Sequence, residues 1–269
     1  MARPIIALLT DFGTIDHYAG TMKGAALTIC PDATLVDISH DVPPHDILAG
    51  ALELQASFRF FPPGTVFLVV VDPGVGSTRR GIAAEAGDYR FVAPDNGVLS
   101  GVFEEVAPKR VVSLTERRYA RPTISRTFEG RDRFAPAAAW LAKGAEMAAL
   151  GSPVRDYVRI EIPHATQDGD RIVGQVLRVD RFGNLVTNIP RPLVDRLTAG
   201  GPIDILAQGH AIGALVETYA GAAPGAPCAL FGSSECLEIA LNGGDAAAHL
   251  GLAAGAVVEV VRSARAMVR

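Results

Sequence analysis

Cysteine is scarce in this chain of 269 residues, which carries three, Cys30, Cys228 and Cys236. An odd number without a Cys-x-x-Cys pair argues against a disulfide framework and against a structural zinc site. Six histidines are present, but none shows the His-x-His or His-Glu-x-x-His spacing of a metal site. We therefore expect no bound metal and a reducing compartment.

Long hydrophobic runs and an excess of charge of one sign are also lacking. No stretch approaches the roughly 18 consecutive apolar residues of a membrane-spanning helix, and the first residues lack the pattern of a secretory signal. The 25 basic and 29 acidic residues give a formal charge of −4 and no basic stripe suited to a nucleic acid. These absences predict a cytoplasmic protein whose partner is a small molecule rather than a nucleic acid or a membrane.

What the first part of the sequence does contain is a series of apolar runs that alternate with helix-like segments. A hydrophobic content of 49% supports a sizeable core. The predicted strands are 5–9, 34–37, 66–71, 90–92 and 110–112, and the predicted helices are 18–30, 45–58, 96–105 and 133–142. Continuous apolar strands alternating with helices are typical of a layered α/β domain with a mainly parallel sheet. We predict such a domain for residues 1–164.

The pattern changes after residue 164. Residues 165–170 are polar and rich in turn formers, and they are predicted to be a linker. Seven short strands are predicted after it, at 171–179, 185–188, 203–206, 211–216, 228–231, 237–241 and 257–261, with brief helices at 192–197 and 245–250. This pattern favours a smaller all-β, barrel-like domain over residues 171–269.

Polar residues directly follow the predicted strands of the first domain, where ligands bind in open α/β sheets. Asp11 suits either a ribose diol or the cap of the next helix, although Asp16 is the better candidate for the cap. Asp72 and Arg79 flank a Pro-Gly-Val-Gly turn, where an ion pair between them would be either functional or a brace for the loop. Glu129, before the helix at 133–142, is either catalytic or a surface charge.

The second domain carries two polar clusters, Asp-Arg-Phe-Gly-Asn at 180–184 and Gly-Ser-Ser-Glu-Cys-Leu-Glu at 232–238. Taken alone, each is as consistent with a β-turn as with a ligand site. No phosphate-binding loop with GxxxxGK[ST] or GxGxxG spacing is present. The residues by themselves therefore predict a two-domain protein with a polar, aspartate-containing cleft.

Seven motifs together resemble the S-adenosylmethionine hydroxide adenosyltransferase family, which is related to the fluorinase and chlorinase enzymes. They are Thr-Asp-Phe-Gly at 10–13, Cys-Pro-Asp at 30–32, Phe-Phe-Pro-Pro-Gly-Thr-Val at 60–66, Val-Asp-Pro-Gly-Val-Gly at 71–76, Ala-Pro-Asp-Asn-Gly at 93–97, Phe-Gly-Asn-Leu-Val-Thr-Asn at 182–188 and Leu-Glu-Ile-Ala-Leu-Asn-Gly-Gly at 237–244. Each is weak alone, but all seven occur in the order of the family and span nearly the whole chain. The resemblance implies an α/β domain followed by a β-barrel. It also implies a homotrimer, with the ligand between the first domain of one subunit and the second domain of its neighbour.

The resemblance further implies roles for individual residues. In the hydrolase branch of the family an Asp, an Arg and a His handle the attacking water. Asp72 and Arg79 match the first two, whereas Glu129 stands where the family pattern has His. The implied ligand-binding residues are Asp11 for the ribose hydroxyls, Asn184 and Tyr219 for the adenine, Asp180, Ser233 and Ser234 near the methionine part, and Glu238 beside the nucleoside.

The implied activity is hydrolysis of S-adenosylmethionine to adenosine and methionine by water attack at the ribose C5′, with no cofactor. Our hypothesis is that Asp72 or Glu129 is the base and that Arg79 stabilises the developing hydroxide. A chlorinase-like halogenase is disfavoured, because two carboxylates would repel a halide and the halogenase branch has a tyrosine where Asp72 stands. A non-catalytic sensor of S-adenosylmethionine or adenosine is the third alternative, since the family histidine is replaced.

Overall fold

A computed structural model describes residues 3–263 of the chain. By contacts between residues the chain divides into two compact units, Met1–Ile162 and Pro163–Arg269. Among the described residues, no helix is long and apolar enough to cross a membrane.

The described residues of the first unit form six strands and four α-helices. The strands are β1 (Ile5–Thr10), β2 (Thr34–Ser39), β3 (Val66–Val70), β4 (Gly81–Ala86), β5 (Tyr89–Pro94) and β6 (Pro108–Ser113). The helices are α1 (Tyr18–Ile29), α2 (Ile47–Ser57), α3 (Ser100–Glu105) and α4 (Ala135–Ala142), and a π-helical turn, Gly130–Phe134, leads into α4. Short 3₁₀ turns lie at Phe58–Phe60, Arg117–Tyr119 and Met147–Leu150.

The six strands form one mixed sheet in the order β2-β1-β3-β5-β4-β6. The pairs β1–β2, β1–β3 and β3–β5 are parallel, while β4 runs antiparallel to both β5 and β6. The α/β class with a mainly parallel sheet is thereby confirmed. Strand β4 is absent from the sequence prediction, and it is the strand that makes the far half of the sheet antiparallel.

Both faces of this sheet are covered by hydrophobic cores. Alternate residues of β1 enter different cores, with Ile6 and Leu8 packed beside α1 and α4, and Ala7 and Leu9 packed beside α2 and α3. Strand β3 is buried along its whole length, as its continuous apolar sequence predicts. A sheet with helices on both faces leaves the ends of its strands as the place where polar loops collect.

Up to residue 263, where the description ends, the second unit contains eight strands and two α-helices. The strands are β7 (Thr166–Asp168), β8 (Arg171–Val179), β9 (Leu185–Pro190), β10 (Ile203–Ala207), β11 (His210–Ile212), β12 (Pro227–Phe231), β13 (Cys236–Leu241) and β14 (Val257–Arg262). The helices are α5 (Arg191–Thr198) and α6 (Ala246–Leu250), with a 3₁₀ turn at Tyr219–Gly221.

The strands of the second unit pair in the order β11-β10-β14-β8-β9-β13-β12, and β7 adds to β8. All of these pairs are antiparallel. After β11, the chain at 214–216 pairs with Ala229 of β12, so the sheet nearly closes into a barrel around its own core. The predicted all-β, barrel-like class is confirmed.

Other local details also differ from the sequence-based expectations, among them the start of α3 at Ser100 instead of residue 96 and the end of β11 at Ile212 instead of residue 216. Residues 166–168, predicted as part of a linker, form strand β7 on the edge of β8. Asp16 does not cap α1, because the residue at that position is His17 and it makes no side-chain cap hydrogen bond. The predicted helix at 45–58 begins two residues later, because His45 adopts a left-handed conformation and Asp46 caps α2.

Candidate active site

Asp11 and Asp72 lie at the same edge of the first sheet. Asp11 directly follows β1, and Asp72 follows β3 after one further residue. Since β1 and β3 are adjacent and parallel, with Thr10 opposite Val70, both carboxylates are carried to the same end of the sheet. This is the end at which open α/β sheets bind ligands.

The loop after β3 folds back so that Arg79 meets Asp72. Val75 N donates to Asp72 O at 3.2 Å and Ser77 N donates to Gly74 O at 3.1 Å, which makes two successive turns. Gly76 between them has φ of 77°, a conformation that favours glycine. Arg79 Nε donates to Asp72 Oδ1 at 2.9 Å and Nη2 donates to Asp72 Oδ2, so the pairing is bidentate.

Glu129 approaches the same guanidinium from the other side. Its side chain is 10% exposed, and Oε2 lies 2.6 Å from Arg79 Nη1. The contact lacks the alignment of a hydrogen bond, so Oε2 is a buried oxygen without a hydrogen-bond donor among the described residues. Arg133, one turn further on, brings a second cation to within 3.7 Å of Glu129 Oε1. Glu129 is therefore part of the buried cluster and not a surface charge.

The cluster of Asp72, Arg79 and Glu129 is nearly removed from solvent, with side chains 5 to 10% exposed. Burial alone would lower the pKa of Arg79, but its hydrogen bonds to Asp72 and the negative charges of Asp72 and Glu129 outweigh burial and raise that pKa. The ring of Phe134 lies 5.2 Å from the same guanidinium. Arg79 is thus a permanent cation that holds two carboxylates in fixed positions.

A cleft of about 600 Å³ opens in front of these carboxylates. Its lining includes Asp11, Asp72 and Glu129, whereas Arg79 bridges the last two from within the protein. An aromatic wall is formed by Phe12, Tyr18 and Phe128, whose ring centroids lie 5.2 to 5.9 Å apart. The cleft offers oriented carboxylates beside apolar ring faces, a combination that suits a nucleoside-sized ligand.

In the second unit, Asp180 and Asn184 are held in one tight loop between β8 and β9. Asp180 Oδ1 accepts hydrogen bonds from Phe182 N at 2.8 Å and Asn184 N at 2.9 Å. Its other oxygen accepts from Asn184 Nδ2 at 2.9 Å. The Asp180 carboxylate thus shapes the loop and orients the buried Asn184 amide.

Tyr219 and Glu238 form a second pair in the same unit. The Tyr219 hydroxyl donates to Glu238 Oε2 at 3.3 Å. Burial raises the pKa of Glu238, and Asp180 adds to the effect. Burial also raises the pKa of Tyr219, with the charge of Glu238 contributing. The negative charge of Asp180 therefore contributes to both pKa shifts, and the three residues form one polar cluster.

Ser233 and Ser234 occupy the turn between β12 and β13, where Glu235 N donates to Gly232 O at 3.0 Å. The backbone of Gly232 packs directly against the Glu238 carboxylate, with no room for a Cβ atom. This contact joins the serine turn to the cluster of Asp180, Tyr219 and Glu238. The four first-unit candidates and the six second-unit candidates thus each gather within their own unit.

Several residues near the cleft are absent from the list of expected site residues. His45 lines the cleft, and its backbone N–H donates to Asp11 Oδ2 at 2.9 Å. His40 is buried, with Nδ1 2.8 Å from Thr10 Oγ1. Tyr18 and Phe128 could have been found only as aromatics next to motif residues. Within residues 3–263, no group of three or more His, Cys, Asp or Glu side chains is arranged to hold a metal ion.

Comparison with known proteins agrees with this geometry over both units. The family model described as "SAM hydroxide adenosyltransferase N-terminal domain" matches residues 6–151, and the model of the corresponding C-terminal domain matches residues 174–259. The chain belongs to the S-adenosylmethionine hydroxide adenosyltransferase family. The resemblance stated from the seven motifs is confirmed.

Individual members of this family are similar over almost their full length. A protein of Salinispora tropica named (R)-S-adenosyl-L-methionine hydrolase is 36% identical over 255 residues, which is 94% of this chain and 95% of that protein. A fluorinase of Actinoplanes is 30% identical, over 97% of this chain and 98% of its own. The crystal structure of an uncharacterised conserved protein from Thermotoga maritima matches with a TM-score of 0.90 and 34% identity, covering 96% of this chain and all of that one.

Proposed function

We propose that this hydroxide adenosyltransferase family member hydrolyses S-adenosyl-L-methionine to adenosine and L-methionine, with water attacking the ribose C5′. The observation that carries the proposal is the buried cluster of Asp72, Arg79 and Glu129 at the wall of the first-unit cleft. Relatives named as hydrolases are 34 to 39% identical to this chain and those named fluorinases are 30 to 34% identical, which supports the hydrolytic branch.

The reaction requires the protein to position a water molecule and to accept its proton. The sulfonium of S-adenosylmethionine leaves as a neutral thioether, so no acid is needed for the leaving group. Water must lie in line behind C5′, and its proton must pass to a base as the new carbon–oxygen bond forms. A buried carboxylate supported by a fixed cation supplies such a base and stabilises the charge that develops on oxygen.

The geometry supports Glu129 as the base and Asp72 as the residue that fixes Arg79. Both oxygens of Asp72 accept hydrogen bonds from Arg79. Glu129 lines the cleft, and its carboxylate is paired with Arg79 through Nη1 and Oε2. A carboxylate can accept several hydrogen bonds, so Glu129 keeps the capacity to accept one from a water molecule in the cleft. Glu129 would take over the proton-accepting role for which the family pattern has His.

We assign the remaining roles by matching motif positions. Asp11 binds the ribose diol, Asn184 and Tyr219 contact the adenine, Glu238 lies beside the nucleoside, and Asp180, Ser233 and Ser234 lie near the methionine part. S-adenosylmethionine is the substrate, and no cofactor or metal takes part. The assembly we propose is a homotrimer in which each ligand is held by the first unit of one subunit and the second unit of its neighbour. The three cysteines, all free in the structure, fit a cytoplasmic location.

The test is chromatography of the products formed from S-adenosylmethionine by the purified full chain, with and without chloride or fluoride. We expect adenosine and methionine in equal amounts at a rate that is independent of halide. The double variant D72N/E129Q should lose turnover and still melt cooperatively. E116Q, which alters an exposed carboxylate of the same unit, is the matched control and should keep wild-type turnover.

Each other product pattern contradicts the proposal in a specific way. A halogenated adenosine would assign the chain to the halogenase branch. Binding of S-adenosylmethionine without product, seen as ligand-dependent thermal stabilisation, would make it a sensor. Wild-type turnover by D72N/E129Q would remove both carboxylates from the mechanism.

A further inference from the structure

His45 adopts a left-handed backbone conformation that few non-glycine residues take. Pro43–Asp46 form a turn in which Asp46 N donates to Pro43 O at 3.0 Å and His45 has φ of 68°. These are features of a type II turn with His45 at its third position, which normally takes glycine or asparagine. A left-handed non-glycine residue at a cleft is a strained position for which a function should be sought.

The consequence of this conformation is a hydrogen bond to the cleft. His45 N donates to Asp11 Oδ2 at 2.9 Å, and both residues line the cavity. The bond joins the loop after β1 to the turn before α2, across 34 residues of sequence. A backbone donor held in a fixed turn sets the direction of a carboxylate more firmly than a mobile side chain would.

The main chain around Asp11 is fixed by other contacts. Gly13 N donates to His40 O at 2.7 Å, and Thr10 Oγ1 lies 2.8 Å from Nδ1 of the buried His40. Phe12 N in turn donates to Thr10 Oγ1 at 3.3 Å. With the main chain on both sides of Asp11 held in place, the side-chain direction is what remains to be set.

We infer that His45 is a positioning residue for Asp11, whose left-handed backbone holds Oδ2 so that Oδ1 is presented to the ribose diol of the ligand. The inference rests on the proposed function for the identity of that ligand. It assigns the effect to the backbone of His45, so a residue that tolerates positive φ can take its place better than one that does not.

The experiment is calorimetric titration of the full chain with adenosine, using variants that differ in tolerance of positive φ. H45V, a β-branched residue, should weaken binding by about tenfold or more, since a charge-assisted hydrogen bond is lost. H45N should recover most of that loss, because asparagine tolerates the left-handed region. For 2′,3′-dideoxyadenosine, which lacks the diol, H45V and H45N should bind equally. In the D11A background the difference between H45V and H45N should vanish for adenosine also.

Equal losses in H45V and H45N would overturn the inference, because the imidazole and not the backbone would then matter. A difference that persists in D11A or with 2′,3′-dideoxyadenosine would overturn it as well. If H45V does not melt cooperatively, H45A makes the same comparison with less strain.

The turnover assay separates this inference from the proposed function. A chain that shows this order of affinities but makes no adenosine would overturn the hydrolase and leave the role of His45 standing. A chain that makes adenosine but does not show this order of affinities would overturn the role of His45 and leave the hydrolase standing. Absence of adenosine binding by the wild type would overturn both.

Discussion

At the scale of single residues, Arg79 is the residue on which the first-unit site depends. It is the cation between two carboxylates that are at most 10% exposed, and it pairs with both. Removing one partner of a buried ion pair is far more costly than removing the whole set, because the remaining charges stay buried without compensation. The same cluster therefore determines stability as well as chemistry.

We predict that R79M lowers the free energy of unfolding by roughly 3–5 kcal/mol, and that R79M/D72N/E129Q recovers most of the loss. Urea denaturation at neutral pH measures both. R59M is the control, because Arg59 pairs with Glu105 with its own side chain 56% exposed, and loss of such a surface pair costs at most about 1 kcal/mol. A triple variant no more stable than R79M would contradict the account.

The titration of Glu238 makes the free energy of unfolding depend on pH, and the direction of this dependence follows from its pKa. Burial raises its pKa above the ordinary value of 4.5. The folded state therefore holds this proton more tightly than the unfolded state, so the contribution to stability is full below 4.5 and is lost as the pH rises through the raised folded value.

We predict that E238Q, which removes this titration, gains stability relative to the wild type between about pH 4 and about pH 7. Urea unfolding at the two pH values measures the difference. E217Q, at an exposed glutamate of the same unit, should show no such trend. A wild type that gains on E238Q as the pH rises would show that the carboxylate is stabilised in its charged form.

At the scale of elements, the sequence predicts a strand when its own residues favour that strand, and misses a strand that forms only through pairing with distant ones. Strands β1 and β3 are continuous apolar runs, so their positions and the placement of Asp11 and Asp72 at one edge followed from the sequence. Strand β4 has the sequence Gly-Ile-Ala-Ala-Glu-Ala and little intrinsic strand preference. It is held by pairing with β5 and β6, which no local pattern reveals.

The π-helical turn Gly130–Phe134 was missed for a similar reason. Its sequence fits an ordinary helix start, and the burial of Glu129 beside Arg79 follows from tertiary packing. The motifs thus predicted the types of side chain at the site, while the choice between a buried Glu129 and a surface charge required the fold. His45 could not be assigned either, because its role lies in a backbone angle.

Strand β4 begins next to the site, and this contact predicts a mutational effect. A Cβ atom on Gly81 would lie 2.5 Å from Phe134 Cε1, and Phe134 packs on Arg79. G81A should therefore destabilise the protein by about 1–3 kcal/mol through overpacking, and it should lower turnover by displacing Arg79. G24A, in an open position of α1, should instead stabilise by about 0.5–1 kcal/mol. Thermal melts and the turnover assay test both, and a G81A variant as stable as the wild type would contradict the packing argument.

At the scale of the whole molecule, the candidate residues fall into two groups, one on each unit. Asp11, Asp72, Arg79 and Glu129 lie on the α/β unit, and the cluster around Asn184 and Glu238 lies on the β unit. A ligand that needs both groups must contact either the first unit of one subunit and the second unit of another, or both units of the same chain. The proposed trimer takes the first arrangement.

Complementation distinguishes the two arrangements. We expect D72N/E129Q to inactivate the first-unit group and N184A to inactivate the second-unit group. Assembled together at random in equal amounts, the two inactive chains should regain about a quarter of wild-type turnover if each site joins two subunits. Chains mixed without reassembly are the control. No regained activity in verified mixed oligomers would contradict the inter-subunit site.

The measurement that tests the central claim most directly is mass spectrometry of the adenosine formed in water enriched in oxygen-18. The account predicts one labelled oxygen at the 5′ position of adenosine and none in methionine, because water forms the new bond at C5′. Adenosine without label, or a 5′ position carrying another nucleophile, would contradict it.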